Sequence, residues 1–331
     1  MRAVVFDRPG DEGVMYVRDV PPPMLRAGCI RIGVAATAVN RADLLQRRGL
    51  YPPPPGASEI LGLECAGRVI EMGERTSGWQ VGERVMALLP GGGYAEEAVV
   101  EADCAWRVPD ALTLEEAAAL PETFLTVYLT LFVLGKLQPG GTVLVHGGGG
   151  GIGTAAITLG TIAGAGVIVT AGSEDKCRRC LEHGAVSAIN YRREDFVAAV
   201  RLATAGRGVD VVLDAVGGPY LNRDLEALAP GGVLVVIGAM GGREATVDTA
   251  TLLRKRLSII GSTLRARPAE EKGELVAKFL ARFGGELSAG RIRPVVSTIL
   301  PLEDVAAAHQ LVAANAHFGK VVLRVAGSSN G

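Results

Sequence analysis

The sequence predicts an α/β protein in which a small twisted β-barrel is followed by a doubly wound parallel sheet. Three observations carry this expectation. Residues 1 to about 120 hold short β-type runs broken by proline and glycine. Residues 142–262 alternate strand and helix patterns, the order that gives a parallel sheet covered on both faces. Between them, residues 114–134 change to a helical period, which marks a domain boundary.

In chain order, Cys29-Ile30-Arg31-Ile32-Gly33-Val34 and Gly67-Arg68-Val69-Ile70-Glu71-Met72-Gly73 read as barrel strands. Pro21-Pro22-Pro23 and Pro52-Pro53-Pro54-Pro55 read as loops, because proline cannot donate to a sheet ladder. In the helical stretch Thr113 is the expected N-cap, Glu115 and Glu116 lie in the first turn, and Pro121 is a break. Strands are expected at 142–146, 167–171, 187–190, 209–214, 232–238 and 257–262. The fourth and fifth are nearly all apolar and therefore central. A helix over 269–285, a strand over 295–300, a helix over 302–314 and a strand over 320–325 form a tail that returns to the first domain. Gly327-Ser328-Ser329-Asn330-Gly331 should fray. The expected domains are 1–121, completed by 265–331, and 122–264.

At 331 residues the chain can hold two sizeable cores, and 48% hydrophobic with 21% charged residues is globular composition. A net charge of -1 supplies no bulk attraction to nucleic acid or anionic membranes. Arg2 and Asp7 interrupt any secretory signal core, and no 18-residue apolar window exists, so a cytoplasmic location is expected. Five scattered cysteines, an odd number, fit reduced thiols. Cys177 and Cys180 make a C-x-x-C inside a predicted helix with no second pair, and read as ordinary thiols.

The stretch with the strongest chemical content is Thr142-Val143-Leu144-Val145-His146, which runs into five successive glycines, 147–151, then Ile152 and Gly153. Gly148, Gly150 and Gly153 satisfy G-x-G-x-x-G between a strand and a helix: tight turn, backbone approach to a pyrophosphate, and close helix–strand packing. Backbone N–H groups at the helix start, around Gly151 and Ile152, would face phosphates. Ligands of doubly wound sheets lie beyond the carboxyl ends of the strands, so 215–218 and 238–242, starting at Gly238, should line the crevice. The second strand ends in Thr170-Ala171-Gly172-Ser173, without the acidic residue that holds an NAD ribose. Small neutral residues there, with Lys176 one helical turn on, favour NADPH; Glu174 and Asp175 are the counterargument.

Several segments carry a family resemblance: Val39-Asn40-Arg41-Ala42-Asp43-Leu44-Leu45-Gln46-Arg47-Arg48-Gly49-Leu50-Tyr51-Pro52-Pro53-Pro54, Leu61-Gly62-Leu63-Glu64-Cys65-Ala66-Gly67, Ala87-Leu88-Leu89-Pro90-Gly91-Gly92-Gly93-Tyr94, residues 145–160 and Asn190-Tyr191-Arg192-Arg193-Glu194-Asp195-Phe196. Over nearly its whole length the sequence resembles the zeta-crystallin-like quinone oxidoreductases of the medium-chain dehydrogenase/reductase superfamily, closest to the tumour-suppressor-inducible branch. The resemblance implies a GroES-like β-barrel catalytic domain and a Rossmann dinucleotide-binding domain. It also implies zinc independence, because zinc-dependent members have Cys where Asn40 stands and Gly-His-Glu where Gly62-Leu63-Glu64 stands, and hold a structural zinc in a cysteine lobe that this chain lacks.

Without a metal to polarise a carbonyl, an electrophilic acceptor such as a small quinone suits the chain. The resemblance places Asn40 and Tyr51 at the nicotinamide, where they would donate hydrogen bonds to developing phenolate oxygens; as a plain turn residue, Asn40 would instead satisfy local backbone. Asp43 is expected to position Arg41 or a backbone amide, Thr126 to approach the nicotinamide ribose or carboxamide, and Tyr94 to be either site or core. Gly172, Lys176 and Tyr191 match the family's 2′-phosphate pocket. Residues 257–262, expected at the sheet edge, would join a homodimer. Two other readings compete: an NADPH-dependent enoyl or alkenal reductase, which also needs a proton for the α-carbon, and a redox-inert NADPH- or RNA-binding protein using Arg178, Arg179, Arg192, Arg193 and Arg254-Lys255-Arg256.

Overall fold

A computed structural model describes residues 1–325; the 327–331 tail lies outside the described residues. The chain divides into two compact units, one made of 1–125 with 264 onward, the other of 126–263.

In the first unit, the ten-residue strand Cys29–Ala38 is the hub of a seven-stranded sheet. It pairs antiparallel with Glu64–Met72, Glu97–Glu101 and Lys320–Arg324. Val296–Pro301 adds on beyond Lys320–Arg324, while Arg84–Leu88 and Ala105–Arg107 extend the other side. Gly67 is required where the sheet bends: a Cβ there would lie 1.9 Å from the Gly33 carbonyl oxygen. Ile30, Ile32, Val69, Val85, Val100 and Leu323 are fully buried in its core, each contributing about 1.5–3 kcal/mol of transfer free energy. Pro21–23 and Pro52–55 lie in loops. Thr113 caps Leu114–Ala117 through a reciprocal box with Glu116, and Pro121 opens a second helix, Pro121–Val127, after a break.

The second unit is a six-stranded sheet ordered Ser187–Asn190, Gly166–Ala171, Thr142–His146, Val209–Asp214, Leu228–Val236, Ser258–Gly261, parallel throughout. From Thr142–His146 the chain winds outward one way, then crosses back and winds the other way. That reversal puts the switch point at the carboxyl end of Thr142–His146, where the glycines stand. The fifth strand begins four residues before the expected 232, because Leu228 pairs with Val209 across an irregularity that absorbs Pro230-Gly231. Ser258–Gly261 is the edge strand, with Ile259 39% exposed. Among the described residues no helix is long and apolar enough to cross a membrane.

Candidate active site

The dinucleotide-binding turn of the second unit is built by glycine sterics. Gly147 turns the chain with φ +82° and Gly150 stands at the N-cap of the helix Gly151–Ile162. A Cβ on Gly148 would meet Val169 at 2.6 Å, and one on Gly153 would meet the Gly148 Cα at 2.4 Å. Helix, strand and turn can therefore close on one another only with glycine at both positions. The N–H groups of Gly151, Ile152 and Gly153, in the first helical turn, have no acceptor within the helix and are donors for phosphate. Residues 215–218 and 238–242 are tied together at the carboxyl ends of the central strands: Gly218 N donates to Gly242 O at 3.0 Å and Gly241 N to Val216 O at 2.7 Å, and Gly238 backs onto Ala215.

At the end of the second strand, Gly172 leaves space that Tyr191 fills: an added Cβ would sit 2.7 Å from its hydroxyl oxygen. Ser173 caps the helix Glu174–Glu182 by accepting from Lys176 N. Both acids that argued against a 2′-phosphate are engaged elsewhere. Glu174 accepts from Asn190 Nδ2 at 2.7 Å and pairs with Arg193; Asp175 pairs with Arg178 at 2.6 Å.

The first unit holds a buried polar network. Lys320 Nζ donates to Glu64 Oε1 at 2.8 Å, Asn40 Oδ1 at 2.5 Å and Val39 O at 3.2 Å. Asn40 Nδ2 donates to Glu64 Oε1 at 2.8 Å and Ala38 O at 3.2 Å, and Glu122 N donates to Glu64 Oε2 at 2.9 Å. Both amide hydrogens of Asn40 are thus committed inside the protein, which corrects the expectation that it offers one to an acceptor. Asp43 does hold backbone amides, those of Asn40 at 2.7 Å and Gly62 at 3.1 Å, but Arg41 turns away to Asn315. Burial pushes the Asp43 carboxyl up to about 6, against the lowering effect of those amides. Tyr51 lies beneath Arg265, whose guanidinium carbon is 5.4 Å from the ring centroid, and its hydroxyl has no hydrogen-bond partner among the described residues. Thr126 lies on the Pro121–Val127 helix, its carbonyl accepting from Thr130 Oγ1 at 2.7 Å.

Other polar residues escaped sequence reasoning because their partners are distant in the chain. Arg47 donates to His309 Nδ1 at 2.9 Å, His309 Nε2 meets the Tyr94 hydroxyl at 3.1 Å, and Tyr94 donates to Asp43 Oδ2 at 3.2 Å. Tyr94 is core and polar at once. Burial and the Arg47 charge lower His309 to about 3, so its imidazole is neutral. In the second unit His146 bridges Thr170 Oγ1 at 3.0 Å and Asp224 Oδ1 at 2.8 Å, with Asp214 close by.

The residue set does not fit a catalytic zinc. At the two ligand positions stand a neutral amide, Asn40, and a leucine, Leu63, and the neighbouring carboxylate, Glu64, is already paired with an ammonium. His146, Asp214 and Asp224 approach one another, but both histidine nitrogens are hydrogen-bonded and Asp214 accepts from Val216 N and Gly217 N. All five cysteines are buried free thiols, with Cys180 pushed up to about 12 by burial.

Two family descriptions match the chain: "Alcohol dehydrogenase GroES-like domain" over residues 26–110 and "Zinc-binding dehydrogenase" over 151–282. The chain is 32% identical over 326 residues to the quinone oxidoreductase of Lama guanicoe, covering 98% of this chain and 97% of that one. The Escherichia coli quinone oxidoreductase complexed with NADPH superposes with a TM-score of 0.86 at 30% identity, over 98% of this chain and 100% of that one. A phenolphthiocerol/phthiocerol polyketide synthase from Mycobacterium tuberculosis is 31% identical over 324 residues, 97% of this chain but only 14% of that protein's length. With an α/β fold of GroES-like and Rossmann type and full-length similarity to quinone oxidoreductases, the chain belongs to the quinone oxidoreductase-like group of the medium-chain dehydrogenase/reductase superfamily.

Proposed function

We propose that this protein is an NADPH-dependent, zinc-independent quinone oxidoreductase. The observation that carries the cofactor choice is the end of the second strand, where Gly172 and Ser173 offer no carboxylate to a ribose and Glu174 and Asp175 are held by Asn190, Arg193 and Arg178. Gly148, Gly150, Gly151, Ile152 and Gly153 would hold the pyrophosphate, and Lys176 and Tyr191 the 2′-phosphate. The bound cofactor supplies a hydride.

The chain's own part is to bind, orient and stabilise charge. Tyr51 offers an unpaired phenol hydroxyl for an oxygen that gains negative charge, and burial raises its pKa so that it stays a donor at neutral pH. Asn40 acts one step back, keeping Lys320 and Glu64 in place. Thr126 orients the nicotinamide end. The exposed Ser258–Gly261 edge favours a homodimer, and a cytosolic setting fits the reduced thiols. An RNA-binding role is disfavoured because Arg178 and Arg193 are ion-paired and Lys255 is spent on the Leu225, Glu226 and Leu228 carbonyls.

The test is anaerobic oxidation of NADPH, and separately NADH, by purified protein with a small ortho- or para-quinone. Rapid turnover with NADPH and much slower turnover with NADH supports the assignment. Tight NADPH binding without quinone turnover, together with reduction of an activated alkene, would replace it with the enoyl or alkenal reductase reading.

A further inference from the structure

We propose that the side-chain carboxyl of Glu122 is the proton donor of this enzyme, delivering to the acceptor oxygen the proton that must accompany the hydride; the inference rests on the reductase reading above. Glu122 opens the Pro121–Val127 helix, and its own backbone N–H donates to Glu64 Oε2 at 2.9 Å. That contact anchors the start of the helix on Glu64, whose charge reaches the Glu122 carboxyl. The two carboxyls are satisfied very differently.

Glu64 is fully buried and receives three donors: Asn40 Nδ2, the Lys320 ammonium and the Glu122 amide. This is the environment of a carboxylate anion. Neither oxygen of Glu122 accepts or donates a hydrogen bond to any described residue, and Oε2 is shut off from water with no partner at all. Two interacting carboxyls cannot both ionise cheaply, and the proton belongs on the one without donors. Burial and the Glu64 charge push Glu122 up to about 8. A neutral carboxylic acid must donate somewhere, yet nothing in the protein accepts from it. The charge of Glu122 is felt at both Tyr51 and Arg265, so it lies in the electrostatic neighbourhood of the phenol assigned to the acceptor.

The step balances with NADPH as the reductant. The nicotinamide C4–H bond breaks, its electron pair forms the new bond on the quinone, and the Glu122 O–H bond breaks with its electrons left on the carboxylate. A new O–H bond forms on the acceptor, and water reprotonates Glu122 before the next turnover.

The experiment pairs infrared difference spectroscopy with steady-state kinetics on the full chain, wild type and Glu122→Gln. At neutral pH the wild type should show a protonated carboxyl C=O band that shifts in D₂O, disappears on titration near pH 8 and is absent in E122Q. In the wild type, kcat with quinone should fall above that pH. E122Q should lose roughly 10²-fold in kcat, lose that alkaline fall and keep its NADPH affinity, and Glu122→Ala should be partly rescued by added acetic acid. A wild type without the band, or an active E122Q with the wild-type rate and pH profile, overturns the donor role while leaving the reductase reading intact. No quinone turnover by the wild type overturns the reductase reading, and the donor role with it.

Discussion

Replacing Lys320 by Met keeps the unbranched stem but removes the ammonium that Glu64, Asn40 and Val39 share. The pair is almost sealed from solvent, with side-chain exposures of 4% and 0% at 2.8 Å separation. Breaking such a pair from one side costs about 3–5 kcal/mol, because the partner charge stays buried. Urea denaturation followed by tryptophan fluorescence is the assay, since Trp79 and Trp106 both lie in the first unit. Adding Glu64→Gln to the variant removes the stranded partner and should recover most of the loss. A cost under about 1 kcal/mol at pH 7 would refute the charge argument.

Three further outcomes are expected. Gly172→Asp drives a side chain into the space 2.7 Å from the Tyr191 hydroxyl and adds a negative charge, so kcat/KM with NADPH should drop about 10–150-fold, the worth of a charged hydrogen bond, while NADH is spared; equal losses with both nucleotides would count against the 2′-phosphate pocket. His309 is lowered to about 3, so the native state binds fewer protons than the unfolded chain below about pH 6.5. Its contribution is complete above that pH and lost at up to about 1.36 kcal/mol per unit as pH falls toward 3; the stability difference between wild type and His309→Gln should narrow from pH 7 to pH 5, and a constant difference would assign acid sensitivity elsewhere. Ile259→Lys places a charge on the exposed edge strand and should give a monomer by sedimentation where the wild type is a dimer; a wild-type monomer at micromolar concentration would end the dimer proposal.

The second sheet was legible because its information is local. Runs such as Val209-Asp210-Val211-Val212-Leu213-Asp214 are apolar, bounded by turn residues and of strand length, and the glycine positions follow from one turn's sterics. The start of the fifth strand was not, because Pro230-Gly231-Gly232 reads as a loop and only pairing to Val209 makes Leu228 a strand residue. The polar network was out of reach for a stronger reason. Lys320 meets Asn40 from 280 residues away and Glu64 from 256. Periodicity does not encode such a contact. One signal did exist: Glu122 is the one charged residue between Glu116 and Lys136, inside an otherwise uncharged and mostly apolar stretch. A glutamate left in such a stretch has to be accounted for as a charge or as an acid.

Asn40 is where the two levels of reading part. The residue type says donor, and an amide beside an acceptor would indeed be useful. Its geometry says bridge, with Oδ1 accepting from Lys320 and Nδ2 donating to Glu64, so that one neutral group joins a cation to an anion. Cysteine at that position would serve a metal but leave the Lys320 ammonium without its shortest acceptor. A lysine packed against Glu64 would in turn repel a divalent cation. The Lys320–Glu64 pair thus sets a fixed ammonium beside Asn40. Glu64, engaged by Lys320, Asn40 and the Glu122 amide, in turn helps burial to raise the Glu122 carboxyl.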